Sequence, residues 1–492
     1  MQQSRNIPER GKTPATGNNS QRPNVQRAGG RPQNTPRPNG QSTGARSQTA
    51  PRPTAQRING KAQSMPNIAA KPKSVTKPQT APVRKPERKD TLKKEQAETI
   101  KRKKKKEPKD PNRVRILSLE GRVDIPMLII TLVLLAIGIT MMFSASHAYS
   151  YRDNNGDSYA YVTKQMTAAV IGLVGMMLMT MFDYRFLRHE SKHRHITVAH
   201  VFLLFTIVLN FMCFFVGIEA DGGQKRWLRL PVFGQFQPSD FLKIALIIFM
   251  AYYIHKNSDR MRTFYGGIVK PVLIMIPVAL SVMVQKHLSC LLIIFMIFAV
   301  MMFVGGVNLK EAVPLAVLVI LAIFIAVSVM KVGYFQQRIE YMDPLSDPGD
   351  GSYQNYQSAL AIGSGGIWGK GFGNSSQKYY YLPEAQNDFV FAILVEEFGL
   401  VGGVFVITLF IIFVMRGLYI ARRAEDKFGC LMATGITFQI GMQALLNIAV
   451  NLCCIPNTGV SLPFFSYGGT ALVLQLWEMG LLLSISKRAK VN

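Results

Sequence analysis

The sequence predicts an all-α integral membrane protein of about ten transmembrane helices, preceded by a disordered basic tail. Beyond residue 115, apolar stretches recur that are close to the roughly 20 helical residues needed to cross about 30 Å of hydrocarbon. Residues 1–115 contain no Phe, Trp or Tyr and show no helical or strand period. Such a segment lacks the apolar side chains that a core requires.

The chain therefore divides into a cytoplasmic tail, residues 1–115, and a transmembrane domain, residues 116–492. The tail contains 29 Lys and Arg against 7 Asp and Glu, and so carries most of the formal net charge of +28. A basic run at 101–106 lies close before the first apolar stretch. We expect this run to enforce topology; attraction to membrane lipids, worth about 1 kcal/mol per basic residue, is the second interpretation, and nucleic-acid binding is disfavoured.

Ten apolar stretches are long enough to span a bilayer, two of them separated only by Lys286-His287. The short connections on one side carry more Lys and Arg, which indicates the cytoplasmic side of a plasma membrane. Both termini are then cytoplasmic, the long connection at about 332–386 lies outside, and the first helix is an uncleaved anchor. The stretches lie near 124–146, 158–182, 196–217, 238–255, 267–284, 288–305, 310–331, 387–416, 427–452 and 463–486.

Some cations lie on the outer side, against the usual distribution. One short outer loop carries Lys225, Arg226 and Trp227, and the long outer connection adds Lys370 and Lys378. Their position indicates an anionic ligand on the outer face. The alternative is that long outer segments tolerate Lys and Arg freely, because they are translocated regardless of charge.

The fourth stretch begins with an acid and a base inside the predicted membrane region. Asp240 and Lys243 are three residues apart, so they share a helix face and can form an ion pair. Charges within a span are costly unless they face a polar cavity or each other. We expect the pair either to line an internal cavity or to cap the helix near the interface.

The long outer connection leads into the most suggestive acidic residues. Its glycine-rich segment, 357–378, would let backbone approach a phosphate or sugar closely, and it lacks the ending of a nucleotide-binding P-loop. Asp388 follows, at the first turn of the eighth span, where the helix dipole favours the ionised form that a general base needs. Capping is the simpler alternative. Within the same span, Glu396-Glu397 is an acidic pair that packing does not explain.

Together these motifs resemble the SEDS family (shape, elongation, division and sporulation), which includes the bacterial FtsW and RodA proteins. The resemblance covers about residues 120–488 and is closer to the FtsW and sporulation branch. Its specificity comes from several motifs in one order. They are Lys225-Arg226-Trp227, Gln237-Pro238-Ser239-Asp240 with Lys243, Gly373-Asn374-Ser375 with Gln377-Lys378, Tyr381-Leu382-Pro383-Glu384 with Asp388, Glu396-Glu397, and Pro463 with Ser466-Tyr467-Gly468-Gly469.

The resemblance implies a peptidoglycan glycosyltransferase that polymerises lipid II, with Asp388 as the catalytic acidic residue and general base. Arg226 and Lys370, with Lys378 or a divalent cation such as Mg or Mn, would neutralise the pyrophosphate. The implied partners are undecaprenyl-pyrophosphate-linked glycan, a class B penicillin-binding protein acting as transpeptidase, and other divisome proteins. The expected substrate-binding residues are Lys225, Arg226, Trp227, Asp240, Lys243, Lys370, Lys378, Glu384 and Ser466.

Two departures from the family pattern are visible. The family usually has Glu where Asp240 stands, and Gln285-Lys286-His287 replaces the usual Gln-Pro-Asp. The five cysteines show no metal-ligand spacing, so they predict no metal site. Two other classes of function remain open: a lipid II flippase, which would use the same intramembrane charges, and a catalytically silent scaffold that recruits the transpeptidase.

Overall fold

The computed structural model describes residues 116–117, 121–190, 196–220, 224–230, 234–285, 287–314 and 352–489. The tail at 1–115 lies outside these ranges, and its predicted disorder stays a prediction. Most of the predicted span at 310–331 and the first part of the long outer connection also lie outside them.

The described part is built almost entirely from helices. A π-helical turn, Tyr265–Val269, leads directly into the fifth helix, and 3-10 turns occupy Tyr184–Arg188 and Ser258–Arg260. The helices are α1 (Ile125–Asp153), α2 (Ala160–Met181), α3 (Val198–Val216), α4 (Pro238–Lys256), α5 (Lys270–Met283), α6 (Leu288–Gly305), α7 (Tyr353–Gly365), α8 (Val390–Arg423), α9 (Lys427–Asn451) and α10 (Gly469–Arg488).

Eight of these helices are long and apolar enough to cross a membrane: α1, α2, α3, α5 with its π-helical turn, α6, α8, α9 and α10. Helix α4 is 19 residues long, begins with the charged pair and is mostly buried among the others. The predicted all-α, multi-pass membrane fold is confirmed. The eight helices and α4 agree with nine of the ten predicted stretches, although α1 and α8 extend further than expected.

A small antiparallel sheet, which the sequence analysis did not predict, lies between α3 and α4. Its strands are β1 (Ile218–Ala220), β2 (Gln224–Leu230) and β3 (Gly234–Phe236), in the order β1-β2-β3. Leu228 pairs with Phe236, and both pack on Cys213 of α3. This apolar contact fixes the sheet against the helices, and strand β2 carries the predicted Lys-Arg-Trp motif.

Small residues allow α2 and α10 to approach closely. A Cβ atom added at Gly480 would lie 2.5 Å from the backbone oxygen of Met176. A Cβ atom at Gly175 would lie 1.7 Å from the indole nitrogen of Trp477. Glycine at such positions is a common feature of helix packing in membranes, where close van der Waals contact stabilises association.

Ion pairs connect the helix ends farthest from Asp388. Asp124 accepts a hydrogen bond from the backbone of Met127, which caps α1, and it also pairs with Arg416 of α8 at 2.7 Å. Asp183 pairs with Arg488 at the end of α10, at 2.9 Å. These pairs fix the ends of α1, α8 and α10 relative to one another.

The glycine contact between α2 and α10 predicts a stability difference between two matched substitutions. We expect Gly480→Ala to lower the free energy of unfolding by about 1–3 kcal/mol, because the added methyl group meets a backbone atom that cannot rotate away. Gly363→Ala in α7 is the control, since its Cβ would meet no atom within 4 Å. Thermal unfolding in detergent would measure both. Equal stability of the two variants would contradict the proposed packing constraint.

Candidate functional site

Asp388 lies in the turn just before α8, beside the end of α9. Its side chain is partly exposed, and none of the described residues donates a hydrogen bond to its carboxyl group. The loop between α9 and α10 passes next to it, since a Cβ atom added at Gly459 would lie 3.5 Å from Oδ2. The carboxyl group is therefore half-buried and has no hydrogen-bond donor within the described part of the chain.

The surroundings of Asp388 change its acidity. Burial removes water from the carboxyl group and, together with the smaller effect of the nearby Glu384 charge, raises the pKa of Asp388 to about 7. The predicted effect of the helix dipole, which favours the ionised form, is therefore smaller than the effect of burial. Desolvation outweighs the dipole because the charged form of a carboxyl group loses most when water is removed.

Glu384 shapes the turn that presents Asp388. Its backbone has a positive φ of 56°, and its carbonyl oxygen accepts from the backbone N–H groups of Asn387 and Asp388, at 3.0 and 3.1 Å. The amide of Asn387 donates to the Glu384 carboxylate. Glu384 itself is exposed, so the predicted site residue lies at the surface beside Asp388.

Two asparagines that the sequence analysis did not single out bind the backbone of Asp388. Asn447 and Asn451, both on α9, donate from Nδ2 to the carbonyl oxygen of Asp388 at 2.7 and 2.9 Å. Their signal was present in the sequence, because amide side chains recur every four residues along this span. These amide residues are Gln439, Gln443, Asn447 and Asn451.

The backbone of the glycine-rich segment packs against α8 rather than lining a ligand-binding cavity. Helix α8 is interrupted at Gly399, which has a φ of 69°, and a Cβ atom there would lie 2.3 Å from the carbonyl oxygen of Ile367. Leu400 N–H donates to the Gly366 carbonyl at 2.9 Å, and Lys370 N–H donates to the Glu396 carbonyl at 3.0 Å. The close backbone approach predicted for this segment is real, but its partner is the interrupted helix.

The acidic pair of α8 is bound by the two lysines of this segment. Glu396 pairs with Lys370 at 2.6 Å, and Glu397 pairs with Lys378 at 3.0 Å. Lys378 is only 4% exposed, and its ammonium group also donates to the Ser144 hydroxyl and to the Gly373 carbonyl. The geometry therefore does not support the prediction that Lys378 binds pyrophosphate. Lys370 retains some exposure, but it too is paired.

The predicted pair in α4 is present and faces an internal cavity. Asp240 and Lys243 lie 2.9 Å apart. The cavity is small, about 10 Å³, close to the space that one water molecule needs. Glu478 of α10 also lines it; one of its carboxylate oxygens accepts from Gln439 at 2.7 Å, and the other has no partner among the described residues. Glu478 was not among the site residues predicted from the sequence.

The cations predicted for a short outer loop lie on strand β2, on the side of the site formed by the start of α6. Arg226 Nε donates to the Gln285 carbonyl at 3.4 Å. The Ser289 hydroxyl donates to the carbonyl oxygen of Thr458, the neighbour of Gly459. The structure thus connects the start of α6 with the loop that faces Asp388. Lys225, Arg226 and Trp227 are each partly exposed, and Lys286 lies outside the described residues.

Ser466 supports the loop before α10. Its hydroxyl oxygen accepts from Leu462 N–H at 2.7 Å, and its carbonyl oxygen accepts from the Gln165 amide at 3.1 Å. The residue is 8% exposed. Its contacts indicate that it shapes the loop beside Asp388.

An apolar groove of about 1170 Å³ lies between α2, α3, α4 and α10. Val201, Phe205, Phe241 and Trp477 contribute to its wall, and Glu478 also lines it. The groove offers apolar surface next to the polar interior.

The described residues contain no cluster of three His, Cys, Asp or Glu side chains that could hold a metal ion. The expected Mg or Mn therefore stays a prediction.

The buried pair of Lys378 and Glu397 predicts a double-mutant cycle. We expect Glu397→Gln to destabilise the protein by about 3–5 kcal/mol, because it leaves a buried ammonium group without its counter-charge. Adding Lys378→Met should recover much of this loss. The exposed pair of Glu190 and Lys256 is the control, since removing it should cost at most about 1 kcal/mol. Thermal unfolding in detergent would show the difference, and additive effects of the two buried substitutions would contradict the pairing.

Comparison with known proteins places this arrangement in a family. The model of the cell cycle protein family FtsW/RodA/SpoVE matches residues 125–491. The probable peptidoglycan glycosyltransferase FtsW of Geobacter sulfurreducens (strain DL-1 / KN400) is 35% identical over 372 residues, covering 75% of this chain and 96% of the relative. Stage V sporulation protein E of Bacillus subtilis (strain 168) is 36% identical over 369 residues, covering 75% and 98%.

Two solved structures share the fold. One is described as "Structural coordination of polymerization and crosslinking by a peptidoglycan synthase complex", with a TM-score of 0.61, 24% identity and coverage of 75% of this chain and 99% of that chain. The other is the rod shape determining protein RodA of Thermus thermophilus, with a TM-score of 0.54, 23% identity and coverage of 75% and 98%. The family model covers most of the chain, and the relatives match over nearly their whole length. This chain therefore belongs to the FtsW/RodA/SpoVE family, the SEDS family of membrane proteins.

Proposed function

We propose that this protein is a peptidoglycan glycosyltransferase that polymerises lipid II into glycan strands. The observation that carries the proposal is Asp388: a half-buried carboxyl group in the turn before α8, without a hydrogen-bond donor among the described residues, whose burial raises its pKa to about 7. The name of the Geobacter relative, a probable peptidoglycan glycosyltransferase, supports the same activity.

The reaction that fits this site uses a single base. Asp388 accepts the proton of the acceptor's 4-hydroxyl group while that oxygen attacks the anomeric carbon of the donor. The new glycosidic bond forms as the bond to the pyrophosphate oxygen breaks, with inversion at the anomeric carbon. A positioned base typically contributes about 10²- to 10⁴-fold to a rate, and is most effective when its pKa lies near the working pH.

The departing pyrophosphate needs positive charge close to the site. Lys378 is buried and paired with Glu397, so we assign this role to the cations of strand β2, Lys225 and Arg226, with Lys370 as a further contributor from its partly exposed position. Arginine suits phosphate because its planar guanidinium group can donate two parallel hydrogen bonds. The contact of Arg226 with Gln285 would hold the guanidinium group on the side of the site near the start of α6.

The substrate would come from the membrane. The apolar groove between α2, α3, α4 and α10 offers a surface suited to a long isoprenoid chain, while the sugars react at Asp388. In this proposal Asp388 and strand β2 face outward, and both termini are cytoplasmic.

A class B penicillin-binding protein would crosslink the strands, and the solved peptidoglycan synthase complex that shares this fold supports such a partner. Septal synthesis with other divisome proteins completes the proposal.

Asp388→Asn is expected to abolish glycan polymerisation by purified protein supplied with lipid II, because the amide cannot accept the hydroxyl proton. The variant should fold, since the carboxyl group makes no hydrogen bond within the described structure. Wild-type chain growth in a folded Asp388→Asn variant would remove Asp388 from the mechanism. Headgroup transfer across vesicles without chain growth would favour a flippase, and full rescue of a depleted strain by the variant would favour a scaffold.

The pKa of Asp388 predicts how activity and stability depend on pH. A base must be ionised to act, so kcat/KM should rise as the pH increases through about 7. Stability should move in the opposite direction: between the ordinary value of 3.8 and about 7 the folded protein binds the proton that the unfolded chain has lost, so stability falls as pH rises. We therefore expect Asp388→Asn to be more stable than wild type at pH 8 but not at pH 4. A flat activity profile from pH 5 to 8 would contradict the assignment.

A further inference from the structure

Helix α9 carries a row of four amide side chains. Gln439, Gln443, Asn447 and Asn451 follow one another at four-residue intervals, so they lie along one side of the helix with a gradual drift. They are 2%, 4%, 1% and 0% exposed. Burying an amide in a membrane-spanning helix is unfavourable unless its polar atoms are bonded, so the partners of each amide are informative.

The two members nearest the end of α9 share one acceptor, the carbonyl oxygen of Asp388. The donor distances are 2.7 Å from Asn447 and 2.9 Å from Asn451. A carbonyl oxygen has two lone pairs, so the two amides satisfy its whole capacity. This is an unusual concentration of buried side-chain donors on one backbone atom, and that atom belongs to the residue with the raised pKa.

Asn451 also connects Asp388 to the start of α8. Its side-chain oxygen accepts from the backbone N–H of Ala392 at 3.0 Å. The first N–H groups of a helix have no partner within the helix, so Asn451 caps α8 from a neighbouring helix. One amide therefore fixes both the first turn of α8 and the peptide group of Asp388.

Asn447 makes the corresponding connection on the other side. Besides the Asp388 carbonyl, its amide donates to the carbonyl oxygen of Val460 at 2.8 Å. Val460 follows Gly459, the residue that lies against the Asp388 carboxyl group. Asn447 therefore sets the distance between Asp388 and the loop that faces it.

We propose that Asn447 and Asn451 are positioning residues that orient Asp388 for catalysis. The inference rests on the function proposed above. Because no described residue donates to the Asp388 carboxyl group, the direction of that group is set by its backbone and by packing, and the two asparagines fix this backbone. A misplacement of about 1 Å can cost roughly 10²-fold in rate, so loss of either amide should act on kcat.

The test compares Asn447→Leu and Asn451→Leu with wild type, in the full-length protein with lipid II. We expect kcat to fall by roughly 10- to 100-fold with KM unchanged, since the amides act through a catalytic group. The pH at which kcat/KM reaches half its maximum should also move downward, because a loosened turn admits water to the carboxyl group. Asn447→Ser, which keeps a small polar group, serves if the leucine variant fails to fold.

Thr437→Val is the matched control. Thr437 is a fully buried residue of the same helix, and its hydroxyl has no hydrogen-bond partner among the described residues. It lies ten residues before Asn447, about 15 Å along the helix axis. This variant should keep the wild-type kcat and pH profile. If the asparagine variants lose only folded protein, and their kcat per folded molecule and pH profile equal those of the control, the amides are purely structural and the inference is overturned.

Asp388→Asn, measured in parallel, separates this inference from the proposed function. If Asp388→Asn polymerises normally, the assigned base is wrong, and any loss in the asparagine variants has another cause. If Asp388→Asn is inactive while both asparagine variants have the wild-type kcat, the assignment of Asp388 as the base is supported. The positioning role of Asn447 and Asn451 is then overturned.

Discussion

The interruption of α8 at Gly399 is the constraint on which the rest of the site depends. Breaking a helix inside a membrane leaves backbone N–H and C=O groups without partners, and hydrocarbon supplies none. Here the glycine-rich segment supplies them, through the bond from Leu400 to Gly366 and the bond from Lys370 to Glu396. The segment and the helix are thereby joined backbone to backbone, which fixes the first part of α8, directly after the turn that contains Asp388.

The charges of this region follow from the same constraint. Glu396 and Glu397 are buried beside the interruption, and a buried carboxylate requires a counter-charge and hydrogen bonds. Lys370 and Lys378 provide the charge, while Ser375 donates to Glu396 and Ser144 donates to Glu397. The polar residues of the glycine-rich segment are thus explained by the helix they bind. In the proposed function, this leaves the cations of strand β2, Lys225 and Arg226, as the main source of positive charge for the pyrophosphate.

Structural features that depend on residues close together in the sequence could be predicted. The spans follow from apolar length, and the pairing of Asp240 with Lys243 follows from a three-residue spacing within one helix. The partners of Glu396, Glu397 and Lys378 could not be predicted, because they depend on how a distant segment folds back onto α8. The sheet at β1–β3 was missed because its strands have at most seven residues and lie between much stronger helical signals. The amide row of α9 was visible at four-residue spacing, but its acceptor, the Asp388 carbonyl, is set by tertiary structure.

The acidity of Asp388 shows which of two opposing effects is larger. A helix N-terminus stabilises a nearby negative charge by about 0.3–1 kcal/mol at an exposed position, which is less than one pKa unit, since a unit corresponds to about 1.4 kcal/mol. Removing water from a carboxyl group can shift its pKa by several units in the other direction. With Asp388 enclosed by α8, α9 and the loop at Gly459, desolvation is the larger effect. A carboxylate at its ordinary pKa would be fully ionised at neutral pH but a weak base towards a sugar hydroxyl. In the proposed mechanism, the partial burial that makes ionisation less complete also makes the ionised group a stronger base, so the packing of this turn would favour proton transfer from the sugar hydroxyl.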